Sequence, residues 1–234
     1  LILAIAVCMS TFFASTTSLE VMAASENEIG NYTDYNNSDD GNVIIFNVDN
    51  AQVKVELCTA RTLRVQLSLN GNEGYRPEDP QYYMVQKNEW PLVNKTIEDK
   101  GDYIQILTDQ IEIRVQKNPF RIGMYDLNGN LISKDSDDQG MYWNDLGVRG
   151  VKKTEGSTNA GGIFGFGSGD HGRRSNLNRY DQDFSEFSMS HGRVVAPFFM
   201  STVGYGIFLN TIEKDTTFYK HGGGFQTKNY LDNS

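Results

Sequence analysis

The stretch VKVELCTARTLRVQLSL, residues 53–69, decides the fold class. Apolar and polar side chains alternate in residues 53–57 and again in residues 63–69, at the two-residue period of a strand that buries one face. The alternation returns in residues 103–107 and 110–115. No window carries an apolar stripe of helical period over the length of an ordinary helix. Because short strands recur at the spacing that sandwiches require, the sequence predicts an all-β protein with a β-sandwich fold.

Turn-forming residues separate the predicted strands. Asn70-Gly71 follows the first pair of strands, and both residue types tolerate the positive φ of a tight hairpin turn. Thr108-Asp109 lies between the two strands of the next pair, as the turn of a hairpin does. The stretch DLNGN, residues 126–130, resembles the start of a calcium loop, but its glycine comes too early and no glutamate completes it. We therefore interpret it as a plain hairpin turn.

The composition excludes some classes of function. The 234 residues carry a formal net charge of −9, which argues against the clustered Lys and Arg that a nucleic-acid surface needs. Neutral, hydroxyl-rich ligands remain compatible with this charge. The two cysteines are Cys8 and Cys58, and Cys8 falls within a predicted leader. Once that leader is removed no intramolecular disulfide can form, so stability must come from packing.

The first residues predict export. Residues 1–8, LILAIAVC, form an apolar run too short for a membrane span, and small and hydroxylated residues continue to Ala24. We interpret residues 1–24 as a signal peptide whose start is missing, which predicts a secreted protein that is not held in a membrane. Residues 25–41 are almost all polar and show no period, which predicts a flexible lead-in. The folded domain is then expected to occupy residues 42–234.

A long polar loop is the first candidate site. Residues 173–193 are predicted to join two strands, and polar loops of that length in a compact domain are usually functional or disordered. Three of its carboxylates, Asp181, Asp183 and Glu186, offer the paired acceptors that adjacent sugar hydroxyls bind. Solvated loop charges are the alternative interpretation of the same residues.

Other polar motifs give no complete site. His171, His191 and His221 are each followed by glycine, in a spacing that matches no metal motif, so we interpret them as turn residues. Trp143-Asn144-Asp145 places a carboxylate beside an aromatic ring, as glycosidases do, but nothing in the sequence pairs a second carboxylate with it. The chain is therefore predicted to hold no metal, no cofactor and no hydrolytic site of its own.

Several short motifs occur in one order along the chain. They are IEIRVQKN (111–118), PFRI (119–122), DLNG (126–129), FGSGD (166–170), NRYD (178–181), APFFM (196–200) and GYGIFLN (204–210). In this order they resemble the N-terminal domain of glycoside hydrolase family 31, over residues 43–234. The resemblance implies a galactose-mutarotase-like β-sandwich that precedes a (β/α)8 catalytic barrel. Enzymes of that family cleave or transfer α-linked glycosyl groups with retention.

For this chain the resemblance implies a scaffold with one sugar contact. A barrel needs about 250 residues, and the chain stops soon after Asn210, so the barrel is expected to be absent and no catalytic residue is assigned. In the family, the loop after the glycine-rich run reaches the mouth of the barrel. Its nearest substrate-binding matches here are Asn178 and Asp181, with Asp183 as a competing choice. Asp170 stands where the family has Glu.

The leading hypothesis is an N-terminal domain of an exported α-glycosidase or α-transglycosylase. Its expected partners are an α-linked oligosaccharide or polysaccharide and the barrel of the same polypeptide, and alone it is expected to hydrolyse nothing. A free-standing carbohydrate-binding domain that uses Trp90 and Trp143 is a second hypothesis. A sugar mutarotase that uses His171 or His191 with Glu186 is a third.

Overall fold

The computed structural model describes the strands and connections that follow. The described residues are 26–37, 41–69, 87, 89–144, 148–155, 163–165, 184–188, 198–202, 204–208, 217–221 and 224–230. Their regular structure is strand throughout, so the predicted all-β fold is confirmed. Within these ranges no helix has the length and apolar character that a membrane span requires.

The strands are numbered in chain order. They are β1 (Asn27–Glu28), β2 (Tyr32–Asn37), β3 (Val43–Val48), β4 (Ala51–Thr59), β5 (Thr62–Leu69), β6 (Lys95–Asp99), β7 (Tyr103–Thr108), β8 (Glu112–Lys117), β9 (Phe120–Tyr125), β10 (Leu131–Asp135), β11 (Met141–Trp143), β12 (Val148–Glu155), β13 (Ile163–Gly165), β14 (Phe184–Ser188), β15 (Phe198–Ser201), β16 (Tyr205–Phe208), β17 (Thr217–His221) and β18 (Gly224–Tyr230).

These strands pair into three sheets within the described part of the chain, and each pairing is antiparallel. The four-stranded sheet has the order β2-β3-β4-β5. The large sheet follows β14-β17-β18-β12-β10-β9-β8-β7-β6, with β11 on β12 and β1 on β11. The small sheet has the order β13-β15-β16. The β7–β8 and β9–β10 hairpins are those that the turn residues predict, and β4 and β5 are the two strands that the alternation predicts.

The core lies between the four-stranded sheet and the β7–β9 part of the large sheet. Every second residue of β3 and β4 is buried, as the two-residue period requires. One contiguous cluster joins the inward residues of both sheets, and the rings of Phe46 and Phe120 meet across it at 5.8 Å between centroids. This packing of two sheets is the β-sandwich that the sequence predicts.

The predicted flexible lead-in over residues 25–41 is wrong for its described part. β1 pairs with β11, β2 pairs with β3, and Ile29 between them is fully buried. The register of β2 shifts between Tyr32 and Asp34, so Tyr32 and Tyr35 both pack on the core although they are three residues apart. That shift breaks the two-residue period, and it hides an ordered strand among polar residues.

The predicted long loop over residues 173–193 also needs a correction. Residues 184–188 form β14, which pairs with β17 at the edge of the large sheet. The segment includes Glu186, so that residue belongs to a strand rather than to a loop. A register shift between Phe184 and Phe187 again interrupts the period that a sequence reading depends on.

Candidate functional site

The predicted sugar contacts lie outside the described residues. Asn178, Asp181 and Asp183 belong to the connection between β13 and β14, and the structure describes neither them nor Asp170. What the structure does place is the sheet from which this connection starts. The sugar contact that the sequence assigns to these residues therefore stays a prediction.

The small sheet brings two of the quoted motifs together with the residues that directly precede a third. β13 carries IFG, the three residues directly before the FGSGD motif, while β15 carries FFMS and β16 carries YGIF. Phe164 pairs with Met200, and Phe198 pairs with Phe208, so these motifs share one antiparallel register. Segments that lie far apart in the sequence, such as β13 and β15, thus meet side by side.

One face of the small sheet is apolar and open to solvent. Phe164, Phe198, Met200 and Phe208 are 38%, 37%, 52% and 39% exposed. The residues between them point the other way, since Phe199 is 1% exposed and Ser201 is 8% exposed. We call the four exposed side chains the apolar face. Contiguous exposed apolar groups of this kind mark interaction surfaces in soluble proteins.

Gly165 allows the small sheet to form. Its φ is +140°, and a Cβ built on it would lie 2.3 Å from the carbonyl oxygen of Phe198 and 2.6 Å from Cα of Phe199. Those atoms are backbone, so no side-chain movement relieves the clash. Glycine at this position therefore lets β13 approach β15 where the connection to β14 begins.

We expect Gly165→Ala to lower the free energy of unfolding by about 3 kcal/mol, the sum of a dihedral penalty and an overpacking cost. Gly204→Ala is the matched control, because Gly204 has φ +95° in the β15–β16 turn and its Cβ would meet nothing within 4 Å. It carries the dihedral penalty alone, about 1 kcal/mol. Urea denaturation followed by circular dichroism measures both, and equal costs would contradict the close approach.

The outer face of the large sheet holds a satisfied polar cluster. Arg114 donates to both carboxylate oxygens of Glu112, at 2.9 and 2.8 Å, and Gln105 donates to Oε1 at 2.6 Å. The bonds from Arg114, and then that from Gln105, lower the pKa of Glu112 against the opposing effect of burial. The guanidinium also lies 4.0 Å from the ring centre of Tyr125. These groups saturate one another, so we assign the cluster to stability rather than to binding.

The turn at residues 126–130 is the predicted hairpin. The Asp126 carboxylate accepts bonds from the backbone N–H groups of Asn128 and Asn130 at 2.9 and 2.8 Å, and from Nδ2 of Asn130 at 2.7 Å. The bonds from Asn130 and Asn128 lower the pKa of Asp126. Its oxygens therefore hold the β9–β10 turn together. Among the described residues, no three His, Cys, Asp or Glu side chains are grouped as a metal site would require.

The two tryptophans do not form one flat aromatic face. Trp90 is half-buried beneath Lys87, whose Nζ lies 4.6 Å from its ring centre. Trp143 ends β11, packs partly on the core, and lines an open cleft at one end of the sandwich. Glu186 is in β14 and His221 is in β17, while His171 and His191 lie outside the described residues. The described residues therefore do not show His171 or His191 beside Glu186, the pairing that the mutarotase hypothesis requires.

Comparison with known proteins decides the family. Residues 52–217 match the model of the glycosyl hydrolase 31 N-terminal galactose mutarotase-like domain, which is well over half of the chain. The chain belongs to this family. The sandwich of this GH31 N-terminal domain is therefore the galactose-mutarotase-like fold that its motifs predict.

Several related proteins show where such domains occur. The domain is 28% identical over 130 residues to an isomaltosyltransferase of Sporosarcina globispora, covering 51% of this chain and 12% of that protein. A GH31 dextranase of Flavobacterium johnsoniae, solved with isomaltotriose, matches at TM-score 0.69 and 25% identity, over 88% of this chain and 25% of that one. The cycloalternan-forming enzyme of Listeria monocytogenes shares the fold at TM-score 0.67 and 17% identity, over 89% and 20%. The domain spans a quarter or less of each.

Sequence reasoning missed two features. The apolar face was visible only as alternating residues in APFFM, since the pattern does not say which side is covered. The open cleft beside Trp143, lined in part by the turn Asp49-Asn50, was missed because its N-terminal wall was interpreted as a flexible lead-in. Both features depend on pairing partners far away in the sequence.

Proposed function

We propose that the domain is the N-terminal part of an exported enzyme that hydrolyses or transfers α-linked glucosyl groups. In this role it supports the catalytic (β/α)8 barrel of the same polypeptide and contributes one loop to a sugar subsite. The family match and the dextranase and isomaltosyltransferase relatives support the reaction class. The signal-like residues 1–24 support export.

The apolar face carries the scaffolding part of the proposal. Four large side chains on one side of a three-stranded sheet lose about 25 cal/mol of stabilisation for each Å² left in water. In the isomaltosyltransferase and dextranase relatives most of the polypeptide lies outside the matched region, so a covering domain is available there. We assign the apolar face to contact with the barrel.

The same sheet supports the sugar-binding part. The connection that carries Asn178, Asp181 and Asp183 starts directly after Gly165, at the end of one strand of this sheet. A barrel docked on the apolar face would therefore lie next to the origin of that connection. Carboxylate and amide groups there would accept and donate hydrogen bonds to sugar hydroxyls.

The test uses the native protein. An antibody raised against this domain, applied to the culture medium of the producing organism, is expected to detect a polypeptide several times longer than 234 residues. Purified through that antibody, the protein is expected to release or transfer glucose units from isomaltotriose. A secreted band of this chain's own length would contradict the proposal, and so would a long protein without activity on α-linked glucans.

The site assignment is tested in the same full-length enzyme. Asp181→Ala or Asp183→Ala is expected to lower kcat/KM by about 10- to 100-fold, the range for losing a hydrogen bond to a charged group. Asp109→Ala is the control, because Asp109 is exposed in the β7–β8 turn. If both loop variants keep the parent kcat/KM, the loop does not contact the sugar.

A further inference from the structure

An open cleft lies at one end of the sandwich, and none of the residues that line it is assigned above to sugar binding. Its volume is about 830 Å³, and its walls are the N-terminal segment 26–28, the β3–β4 turn with its flanking residues 47–52, and Trp143. We call it the end cleft. Sites for small ligands measure about 300–1,000 Å³, so the end cleft has room for a short oligosaccharide.

The N-terminal segment joins the walls of the end cleft firmly. β1 pairs with β11, so that Asn27 lies opposite Trp143. The next residues bond to the β3–β4 turn, because the N–H of Asp49 donates to the carbonyl of Asn31 at 3.0 Å. Glu28 also pairs with Arg121 at 3.0 Å. The segment thus links the large and four-stranded sheets, and the cleft is preformed by backbone pairing.

Hydrogen bonds within the protein fix the polar side chains of the end cleft, and they leave some of the acceptor oxygens unused. Both bonds to the Asp49 carboxylate, from the N–H and the Nδ2 of Asn31 at 2.8 and 3.1 Å, end on Oδ2. Gln52 donates through Nε2 to Asn47 at 2.9 Å, and Asn50 donates through Nδ2 to the carbonyl of Glu28 at 3.4 Å.

Three side-chain oxygens of the end cleft consequently accept no hydrogen bond from the described residues. Within the described residues no bond is made by Oδ1 of Asp49, Oδ1 of Asn50 or Oε1 of Gln52. Fixed amide and carboxylate acceptors suit hydroxyl donors, because little side-chain entropy is lost when the ligand binds.

Trp143 supplies the apolar surface that sugar rings need. It is half-buried, with part of the indole packed against the core and part lining the end cleft. Sugar rings stack their C–H faces on such aromatic surfaces while their hydroxyls bond to neighbouring polar groups. The net charge of −9 makes an anionic ligand unfavourable. The lining therefore fits a neutral, hydroxyl-rich molecule.

We propose that the end cleft is a second carbohydrate-binding site, which takes a short neutral oligosaccharide between Trp143 and the acceptors of Asp49, Asn50 and Gln52. Its lining residues differ from the predicted loop contacts Asn178, Asp181 and Asp183. Such a site holds a glucan chain near the enzyme without taking part in the reaction. It stands whether or not the proposed enzymatic role is correct.

The chain offers a direct readout, because Trp90 and Trp143 are its two tryptophans. In Trp90→Phe protein, all indole emission comes from Trp143. Titration with isomaltotriose is expected to change this emission saturably in the millimolar range, whereas sorbitol at equal concentration does not. Gln52→Ala in the same background is expected to raise Kd by about fivefold, the loss of one hydrogen bond.

Two further variants separate the possible outcomes. Gln116→Ala is the matched control, since Gln116 lies on the outer face of β8, outside the end cleft, and is expected to keep the parent Kd. An absent emission change, or equal Kd values for the two glutamine variants, would overturn the proposal. A weaker Kd in Asp181→Ala but not in Gln52→Ala would also overturn it, while leaving the proposed function intact.

Discussion

Phe46→Ala is expected to lower the free energy of unfolding by about 4 kcal/mol. Phe46 is fully buried on β3, and its ring centre lies 5.8 Å from that of Phe120 on the opposite sheet. Tyr35 and Tyr32 of β2 lie 5.9 and 6.4 Å away. The substitution removes contacts to three aromatic rings on two other strands, β2 and β9, and leaves a cavity that two hydrogen-bonded sheets cannot close.

Urea denaturation of the purified chain measures this effect. Phe46→Leu keeps most of the volume and is expected to cost about 1–1.5 kcal/mol. Leu127→Ala, at a side chain that is 56% exposed in the β9–β10 turn, is expected to change stability by less than about 0.5 kcal/mol. If Phe46→Ala cost no more than Leu127→Ala, the two sheets would not be packed through this ring.

Asp135→Ala is expected to lower the free energy of unfolding by about 3–5 kcal/mol, the range for removing one partner of a buried ion pair. Asp135 is fully buried at the end of β10. Its Oδ2 accepts the backbone N–H of Ile122 at 2.9 Å, and its Oδ1 accepts Nζ of Lys153 at 2.6 Å. Alanine leaves the N–H without an acceptor and the ammonium without its counter-charge, and it removes a link between β9, β10 and β12.

A neighbouring ion pair provides the control. Lys134 and Asp137 form a pair at 2.6 Å in which the Asp137 side chain is 74% exposed, so Asp137→Ala is expected to cost less than about 1 kcal/mol. Asp135→Asn keeps an oxygen for the Ile122 N–H and is expected to fall between the two. Equal shifts of the urea midpoint in Asp135→Ala and Asp137→Ala would contradict a stabilising role of the buried Asp135 carboxylate.

The predictions for Phe46 and Asp135 concern the stability of the sandwich, whereas the proposed functions depend on its exposed surfaces. The small sheet presents the apolar face where the proposed sugar loop begins, and the end cleft lies between the N-terminal segment and the β3–β4 turn. A domain that both supports a barrel and holds glucan would account for an apolar face and a polar cleft on one sandwich. The experiments above test the two roles independently.

The hairpins show how much of the fold can be predicted from local sequence. Residues 103–117 alternate and turn at Thr108-Asp109, and they form β7 and β8 as that pattern predicts. Turn chemistry and the side-chain period are properties of adjacent residues, so they can be read directly. The motif order likewise predicts the family that the comparison shows.

The N-terminal segment shows where local reading stops. Residues 32–37 are polar and aperiodic, and a register shift, rather than composition, places Tyr32 and Tyr35 on the core. The strand forms because β3 offers it a hydrogen-bonding edge and an apolar surface. Neither partner is encoded in the segment itself, so its sequence resembles that of a flexible lead-in.

By itself the sequence determined the strand period, the hairpins, the acidic charge and the family, because each is written in neighbouring residues or in motif order. The tertiary structure alone decided which side of β13, β15 and β16 stays exposed, and that residues 26–28 meet Trp143 and the β3–β4 turn in one cleft. The physical reason is pairing. A strand's alternation defines two faces, but the neighbouring strands and sheets determine which face is covered and what lies beside it.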